Sequence, residues 1–423
     1  MSRRLLVLAA GAFAIGTDGF LIAGLLPQIA DTYGVSGSAA GQLITVFAVA
    51  YAVGSPLLAV ATGRVERRRL LVMVLGCFAA ANVLGAAAPS YLLLLVARVV
   101  AALTAAAFMP SASAIAAMTS APERRGRALA TVTGGLTVAV ALGVPLGTLL
   151  GGLAGWRASL LFVAAVSLIV ALGVRVMLPA VPAPPPAGLG VRLAVLRRPA
   201  ILRIVLPTIV YFTAGFTVFT YIAVVVHQSA GLTPAGLSAL LLGFGVAAIA
   251  GNALGGMSTD RNGPRRTLLA ALTGLSAALA VLAVATAAVA GNPSGVALTM
   301  LAVLGWGVAG WAVNAPQQVL LVAGAPDQPP VALSLSGSAN YVGIALGGAL
   351  GGVVLQEADV TAVTLTGAGL ALAAALLVAA TVHPASSRHS DEPGSQYGGG
   401  GAMEPPTHGT AASTRPRPLA DLD

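Results

Sequence analysis

The sequence predicts an all-α membrane protein with twelve transmembrane helices in two pseudo-symmetric six-helix bundles, and three observations carry that expectation. Composition is the first: of 423 residues, 57% are hydrophobic and 8% charged, against roughly 25% charged residues in an ordinary soluble domain. Uncharged length is the second. Ile204 to Thr259 and Thr267 to Pro326 carry no formal charge with histidine neutral, and each far exceeds the about 20 residues of one bilayer crossing. Internal repetition is the third. Gly143-Val-Pro-Leu-Gly-Thr-Leu-Leu-Gly-Gly152 returns as Gly343-Ile-Ala-Leu-Gly-Gly-Ala-Leu-Gly-Gly352 with six positions identical, and Gly63-Arg-Val-Glu-Arg-Arg-Arg-Leu-Leu71 echoes Asp260-Arg-Asn-Gly-Pro-Arg-Arg-Thr-Leu-Leu269 at nearly the same offset. Two unrelated signals at nearly one offset imply two parallel halves.

The predicted helices run near 5–27, 40–62, 70–88, 92–117, 128–152, 157–178, 202–226, 236–258, 267–290, 295–323, 330–355 and 360–382. Arg3 and Arg4 precede the first, as they would a signal peptide, but the run contains Asp18 and lacks a small-residue cleavage site, so it reads as a retained span. Helix three holds Cys77, the single cysteine, which excludes an intramolecular disulfide and a cysteine-based metal site. In helices five and eleven the repeated glycines fall four residues apart on one face, a spacing that lets a neighbouring backbone approach closely in lipid. Gly231-Leu-Thr-Pro234 and Gly291-Asn-Pro-Ser294 fold the two uncharged stretches back on themselves. The first half is thus expected over 1–178, a proline-rich basic linker over 179–200, the second half over 201–382, and a disordered cytoplasmic tail over 383–423, where Gly398 to Gly401 and scattered Pro, Ser and Thr accumulate.

The net charge of +9 comes from arginine alone among the basic types, and topology, not a nucleic-acid patch, distributes it. The loops at 64–69, 124–127, 192–198 and 261–266 collect most arginines, while the alternate loops keep Arg157. The positive-inside rule then places both termini in the cytoplasm. The all-arginine, Gly- and Ala-rich usage points to a bacterial plasma membrane. No metal cluster, Ser-His-Asp arrangement or phosphate loop occurs in the spans, so an enzyme is disfavoured.

The loop Gly256-Met-Ser-Thr-Asp-Arg-Asn-Gly-Pro-Arg-Arg266 resembles the loop signature of the major facilitator superfamily. Asn262-Gly263 supplies the tight turn, and Arg261, Arg265 and Arg266 suit the anionic inner surface. The resemblance implies that Asp260 braces the start of helix five near Gly126, whereas the first copy has Gly63 for the aspartate and Glu66 for the turn glycine. Gly16-Thr-Asp-Gly-Phe-Leu-Ile-Ala-Gly-Leu-Leu-Pro-Gln-Ile-Ala30 resembles the opening helix of the twelve-helix drug:proton antiporters, including sugar-efflux and chloramphenicol-exporter relatives. Arg98 resembles the arginine of the family's fourth helix, and Gly143, Pro145 and Gly147 its antiporter signature, with Val144 where a Gly-Pro pair is usual. These three are expected, with the loop residues, to gate alternation. Gly155-Trp-Arg157 is a further shared feature.

Asp18 is the one carboxylate expected deep in a span, and Arg98 the one basic residue as deep. An intramembrane charge is costly to insert; burial raises a carboxylate's pKa and a nearby cation lowers it, so the pair can either load and release a proton or serve as a static helix-aligning bond. Cargo contacts are expected near the midplane between the halves: Trp311, Asn314, Gln317 and Gln318 in helix ten; Thr213, Phe216, Thr217, Thr220 and Tyr221 in helix seven; Asn340 and Tyr341 in helix eleven; and Tyr51 and Asn252. Some of the threonines and the tryptophan have an alternative role in backbone bonding or interface anchoring. His227 reads as interfacial. The wall suits a neutral or cationic amphipathic solute, and the resemblance implies its proton-coupled export; a monomer is expected, with no cofactor beyond the proton gradient. Efflux of a sugar or related metabolite, facilitated uptake, and a non-transporting scaffold are the competing readings.

Overall fold

A computed structural model of the chain describes residues 3–121, 124–182, 188–288 and 292–382; the expected tail at 383–423 lies outside the described residues, as do parts of the linker. Twelve helices are long and apolar enough to cross a membrane: α1 (Arg3–Tyr33), α2 (Gly37–Ala61), α3 (Arg67–Ala86), α4 (Tyr91–Met118), α5 (Arg125–Ala154), α6 (Trp156–Met177), α7 (Pro199–Phe219), α8 (Pro234–Asn262), α9 (Pro264–Ala288), α10 (Pro293–Gly324), α11 (Pro329–Glu357) and α12 (Val360–Thr381). A short helix, Leu189–Leu196, lies in the linker. The described residues contain no strand.

Local chemistry sets where the helices begin. Ser36 accepts from the Ala39 amide at 3.1 Å, Ser90 from Leu93 at 3.3 Å, and Asp359 from Ala362 at 2.7 Å, each satisfying an orphan first-turn N–H. Thr233 caps α8 in the same way, with Pro234 fixing the first turn. Gly231 at φ 61° and Gly263 at φ 81° take the left-handed turns at either end of α8.

Three helices are irregular, and proline accounts for two of them. Pro145 lacks the N–H that would close the turn, and α5 widens just before it to a π-turn over Ala139–Gly143, with the Val144 amide bonding Ala139 O. In α10, Pro316 follows the interruption at Val313 between Pro293–Ala312 and Asn314–Gly324. α7 stops at Phe219 and resumes as Ile222–Ala230, so the second-half helix opposite α1 is broken at Thr220 and Tyr221.

The repeated glycines perform matching work in the two halves. A Cβ added at Gly143, Gly147 or Gly151 would strike Thr17, Leu21 or Leu25 of α1, and one at Gly343, Gly347 or Gly351 would strike α7 at Phe212, Phe216 or Tyr221. Each ladder therefore seats its helix on the first helix of its own half. Gly143 and Gly147, expected to gate, face α1 of their own half in this structure.

Two seams join the halves, α2 against α11 and α5 against α8. Gly348 lies against Thr45 and Gly352 against Ser38, while Gly41 receives the Tyr221 hydroxyl. On the second seam Gly245 meets the Ala141 backbone, and Ser238 Oγ donates to the Pro145 carbonyl at 2.7 Å. Of the three α5 residues expected to gate, Pro145 alone therefore bonds across the halves. These contacts draw the halves together toward the end that carries the α1–α2 and α11–α12 turns. Leu92, Leu153, Ile169 and Val176 stay exposed on the outside, as a bundle solvated by lipid requires.

Candidate functional site

α1 and α4 bring Asp18 and Arg98 together in the interior of the first half. Arg98 Nη1 donates to Asp18 Oδ2 at 2.7 Å, and Nη2 approaches the Asp18 carbonyl at 3.5 Å. Asp18 is 0% and Arg98 2% exposed. Removing either charge from water costs several kcal/mol, offset here by their mutual attraction. The bonding is incomplete, since Asp18 Oδ1 and Arg98 Nε are buried with no partner. The other ion pairs among the described residues, Arg69–Glu66 and Arg198–Asp327, lie at helix ends and loops.

Phe47 of α2 covers the guanidinium, with its ring centroid 4.4 Å from Arg98 Cζ, a cation–π contact strengthened by desolvation. Tyr341 of α11 lies 6.3 Å from Phe47 and stacks on Tyr51 of α2 at 3.6 Å and 15°. A continuous path of rings thus leads from the ion pair across the α2–α11 seam. Neighbouring Asn340 holds a buried Oδ1 without a partner.

A second aromatic group joins α1 to α7, α8 and α10. Phe20 lies 5.9 Å from Phe216 and 6.0 Å from Phe219, and Phe219 contacts Phe244 at 5.8 Å and Trp306 at 6.0 Å. Phe212 continues the group, stacked 6.2 Å from Phe216. Sequence reasoning identified Phe216 but missed Phe20, Phe212, Phe219, Phe244 and Trp306. The spacing of Phe212, Phe216 and Phe219 by four and then three residues was the available signal.

The remaining expected contacts divide. Thr213 and Thr217 donate to the Ile209 and Thr213 carbonyls, each 2.8 Å away and one turn back, so their hydroxyls are committed to the helix. Tyr221 is fully buried and donates to the Gly348 carbonyl at 2.9 Å, pinning the break in α7 to α11. Gln317 Nε2 reaches Thr208 Oγ1 at 2.7 Å and Ser336 Oγ at 3.2 Å, tying α10 to α7 and α11. In this structure Thr213, Thr217, Tyr221 and Gln317 thus commit their polar groups to bonds within the protein. Asn252 and Gln318 are exposed, whereas Trp311 and Asn314 are half-buried.

Around the α8–α9 turn, Arg265 donates to the Ala379 carbonyl at 2.9 Å and to the Val382 carbonyl, satisfying terminal acceptors at the end of α12. Asp260, Arg261 and Arg266 are exposed. No atom lies near a Cβ built at Gly126, and Asp260 makes no hydrogen bond or ion pair among the described residues, so the expected brace is not made in this structure. The α2–α3 loop instead supplies an unforeseen clasp. Glu66 caps α3 by accepting from the Arg68 and Arg69 amides at 2.8 and 3.1 Å, and accepts from the Val181 amide of the linker at 3.0 Å. Partial burial pushes its pKa up, but the three backbone donors and Arg68 outweigh that and hold the carboxyl below its usual range.

The family model for the Major Facilitator Superfamily matches residues 8–330. The chain is 37% identical over 379 residues to the chloramphenicol resistance protein of Streptomyces lividans, spanning 89% of this chain and 95% of that one. It is also 37% identical over 358 residues to the inner membrane transport protein YdhP of Escherichia coli (strain K12), spanning 83% and 88%. Its fold matches the partially occluded inward-open conformation of the xylose transporter XylE from E. coli with a TM-score of 0.70 at 16% identity, over 90% of this chain and 97% of that one. The chain therefore belongs to the Major Facilitator Superfamily and is a multi-pass membrane transporter, not an enzyme.

Proposed function

We propose that the protein is a twelve-helix drug:proton antiporter that exports a small amphipathic compound across the bacterial plasma membrane by alternating access. The buried Asp18–Arg98 pair carries the reading. Its free Oδ1 is an acceptor positioned to take a proton, and protonation removes the charge that holds Arg98, while deprotonation restores the bond. Proton loading and helix arrangement are thereby linked. The proton gradient supplies the driving force, and a monomer contains every residue the cycle uses.

Arginine distribution supports a cytoplasmic location for both termini. On that orientation the seams close the extracellular end, and the unmade Asp260–Gly126 brace belongs to an inward-facing state. Cargo then enters from the cytoplasm onto the Phe20, Phe216, Phe219 and Trp306 rings, with the half-buried Trp311 and Asn314 adding polar capacity. An aromatic, nearly uncharged wall favours a neutral or cationic amphipath, in keeping with the name of the Streptomyces relative.

Accumulation of labelled chloramphenicol, compared in cells with and without the protein under an imposed pH gradient, tests the direction and the cargo class. Lower accumulation with the protein is expected, together with its loss when the gradient is collapsed. Equal accumulation of chloramphenicol and of a panel of aromatic antibiotics and sugars under active expression would sink the export reading.

A further inference from the structure

The ion pair in the first half is sealed by a residue of the second. Asp18 and Arg98 have essentially no exposed surface, yet Oδ1 and Nε are left without partners. A carboxylate accepts more bonds than the one it has, so water entering this space would bind there readily. Phe47 blocks one face of the guanidinium at 4.4 Å. Behind Phe47, at 6.3 Å between ring centroids, stands Tyr341, held flat against Tyr51 at 3.6 Å. The two rings meet face to face, 15° from parallel. Asp18, Arg98, Phe47 and Tyr51 all belong to the half before the linker, and Tyr341 to the half after it.

We propose that Tyr341 is the positioning residue that ties proton access at Asp18 to the α2–α11 seam, acting as the second half's cover over the first half's proton site. Its stack on Tyr51 and its contact with Phe47 persist only while the seam is closed. Separation of α11 from α2 withdraws the ring, frees Phe47 to turn off Arg98, and admits water to Asp18 Oδ1. The proton site therefore opens with the seam and not independently of it, which prevents proton leak without cargo movement. This rests on the proton-coupling role of Asp18.

The test reconstitutes the full chain into liposomes and measures two quantities. One is proton flux driven by a potassium diffusion potential with no cargo present; the other is counterflow exchange of labelled chloramphenicol without a pH gradient. Tyr341→Ala and Tyr51→Ala are each expected to raise the cargo-free proton flux by about two- to tenfold, the factor for losing one aromatic stack, with exchange retained. Tyr341→Phe keeps the stack and is expected to leak no more than wild type. The proposal is overturned if both alanine variants stay tight, if Tyr341→Phe leaks as much as Tyr341→Ala, or if both alanine variants lose exchange, which would assign the rings to cargo binding. Asp18→Asn separates the two levels: in the Tyr341→Ala background it should abolish the leak, and a leak that persists there would exclude passage through Asp18. Proton-coupled uptake unaffected by Asp18→Asn alone would instead remove the coupling reading on which the proposal stands.

Discussion

Gly245 offers a clean perturbation of the α5–α8 seam. A Cβ built there strikes Ala141 Cα and lies 2.8 Å from Ala141 N and 2.9 Å from its Cβ. Relaxed carbon contacts need roughly 3.5 to 4 Å, and backbone atoms cannot rotate away, so Gly245→Ala forces the helices apart by about 1 Å. Overpacking of that kind costs about 1 to 3 kcal/mol, and stretching the Ser238–Pro145 bond forfeits about 0.5 to 1.5 kcal/mol more. The added helix propensity of alanine, about 1 kcal/mol, applies to open and closed states alike and cancels. The closed seam therefore loses about 1.5 to 4.5 kcal/mol relative to the open one, a shift of at least about tenfold in their ratio. Pulsed EPR between spin labels at Ser36→Cys and Glu357→Cys, in a Cys77→Ser background, reads the separation of the halves across α2 and α11, at the end that both seams close. Longer distances should become populated in Gly245→Ala, while Gly76→Ala, whose added methyl meets open space on α3, should leave the distribution unchanged. An identical distribution in Gly245→Ala and its parent would refute the assignment of this glycine to the seam.

Two further predictions concern bonds outside the proton site. Glu66 has its folded-state pKa held down, so its stabilisation is present above the ordinary carboxylate range and disappears as pH falls through the lowered value. Glu66→Gln should cost about 1 kcal/mol at neutral pH, and thermal unfolding should show the gap from wild type closing in acid; a gap that persists there would argue against the charged cap. Tyr221→Phe removes the donor to Gly348 O, which should lower stability by about 0.5 to 1.5 kcal/mol without reducing chloramphenicol exchange. Exchange lost at unchanged stability would return Tyr221 to the cargo wall.

The helices were legible in the sequence because burial in lipid imposes long uncharged runs, and the glycine repeat marked two helices that do the same packing in each half. Asp18 and Arg98 stood out for the same reason, being charges where charge is expensive. Side-chain direction was harder. Thr213 and Thr217 have the spacing of a polar face, but in a helix surrounded by apolar groups a hydroxyl finds its own backbone first. Glu66 looked like a degraded signature residue because one-dimensional alignment cannot show the Val181 amide, which lies far along the chain yet beside it in the fold. The Phe20–Phe219–Trp306 group was hidden by ordinary hydrophobic periodicity, since aromatic residues facing a neighbouring helix and those facing a cargo path have the same spacing. Asp260 illustrates a different point: the brace that the resemblance implies is unmade here, and sequence carries no label for conformational state.

The central claim is that Asp18 moves the proton. Wild type and Asp18→Asn are reconstituted in liposomes, and chloramphenicol-driven proton movement is recorded beside counterflow exchange of the labelled compound. Asparagine keeps the shape and can still accept from Arg98, but it does not load a proton. The account predicts that proton movement is lost while exchange continues. Proton movement at the wild-type rate in Asp18→Asn would contradict it.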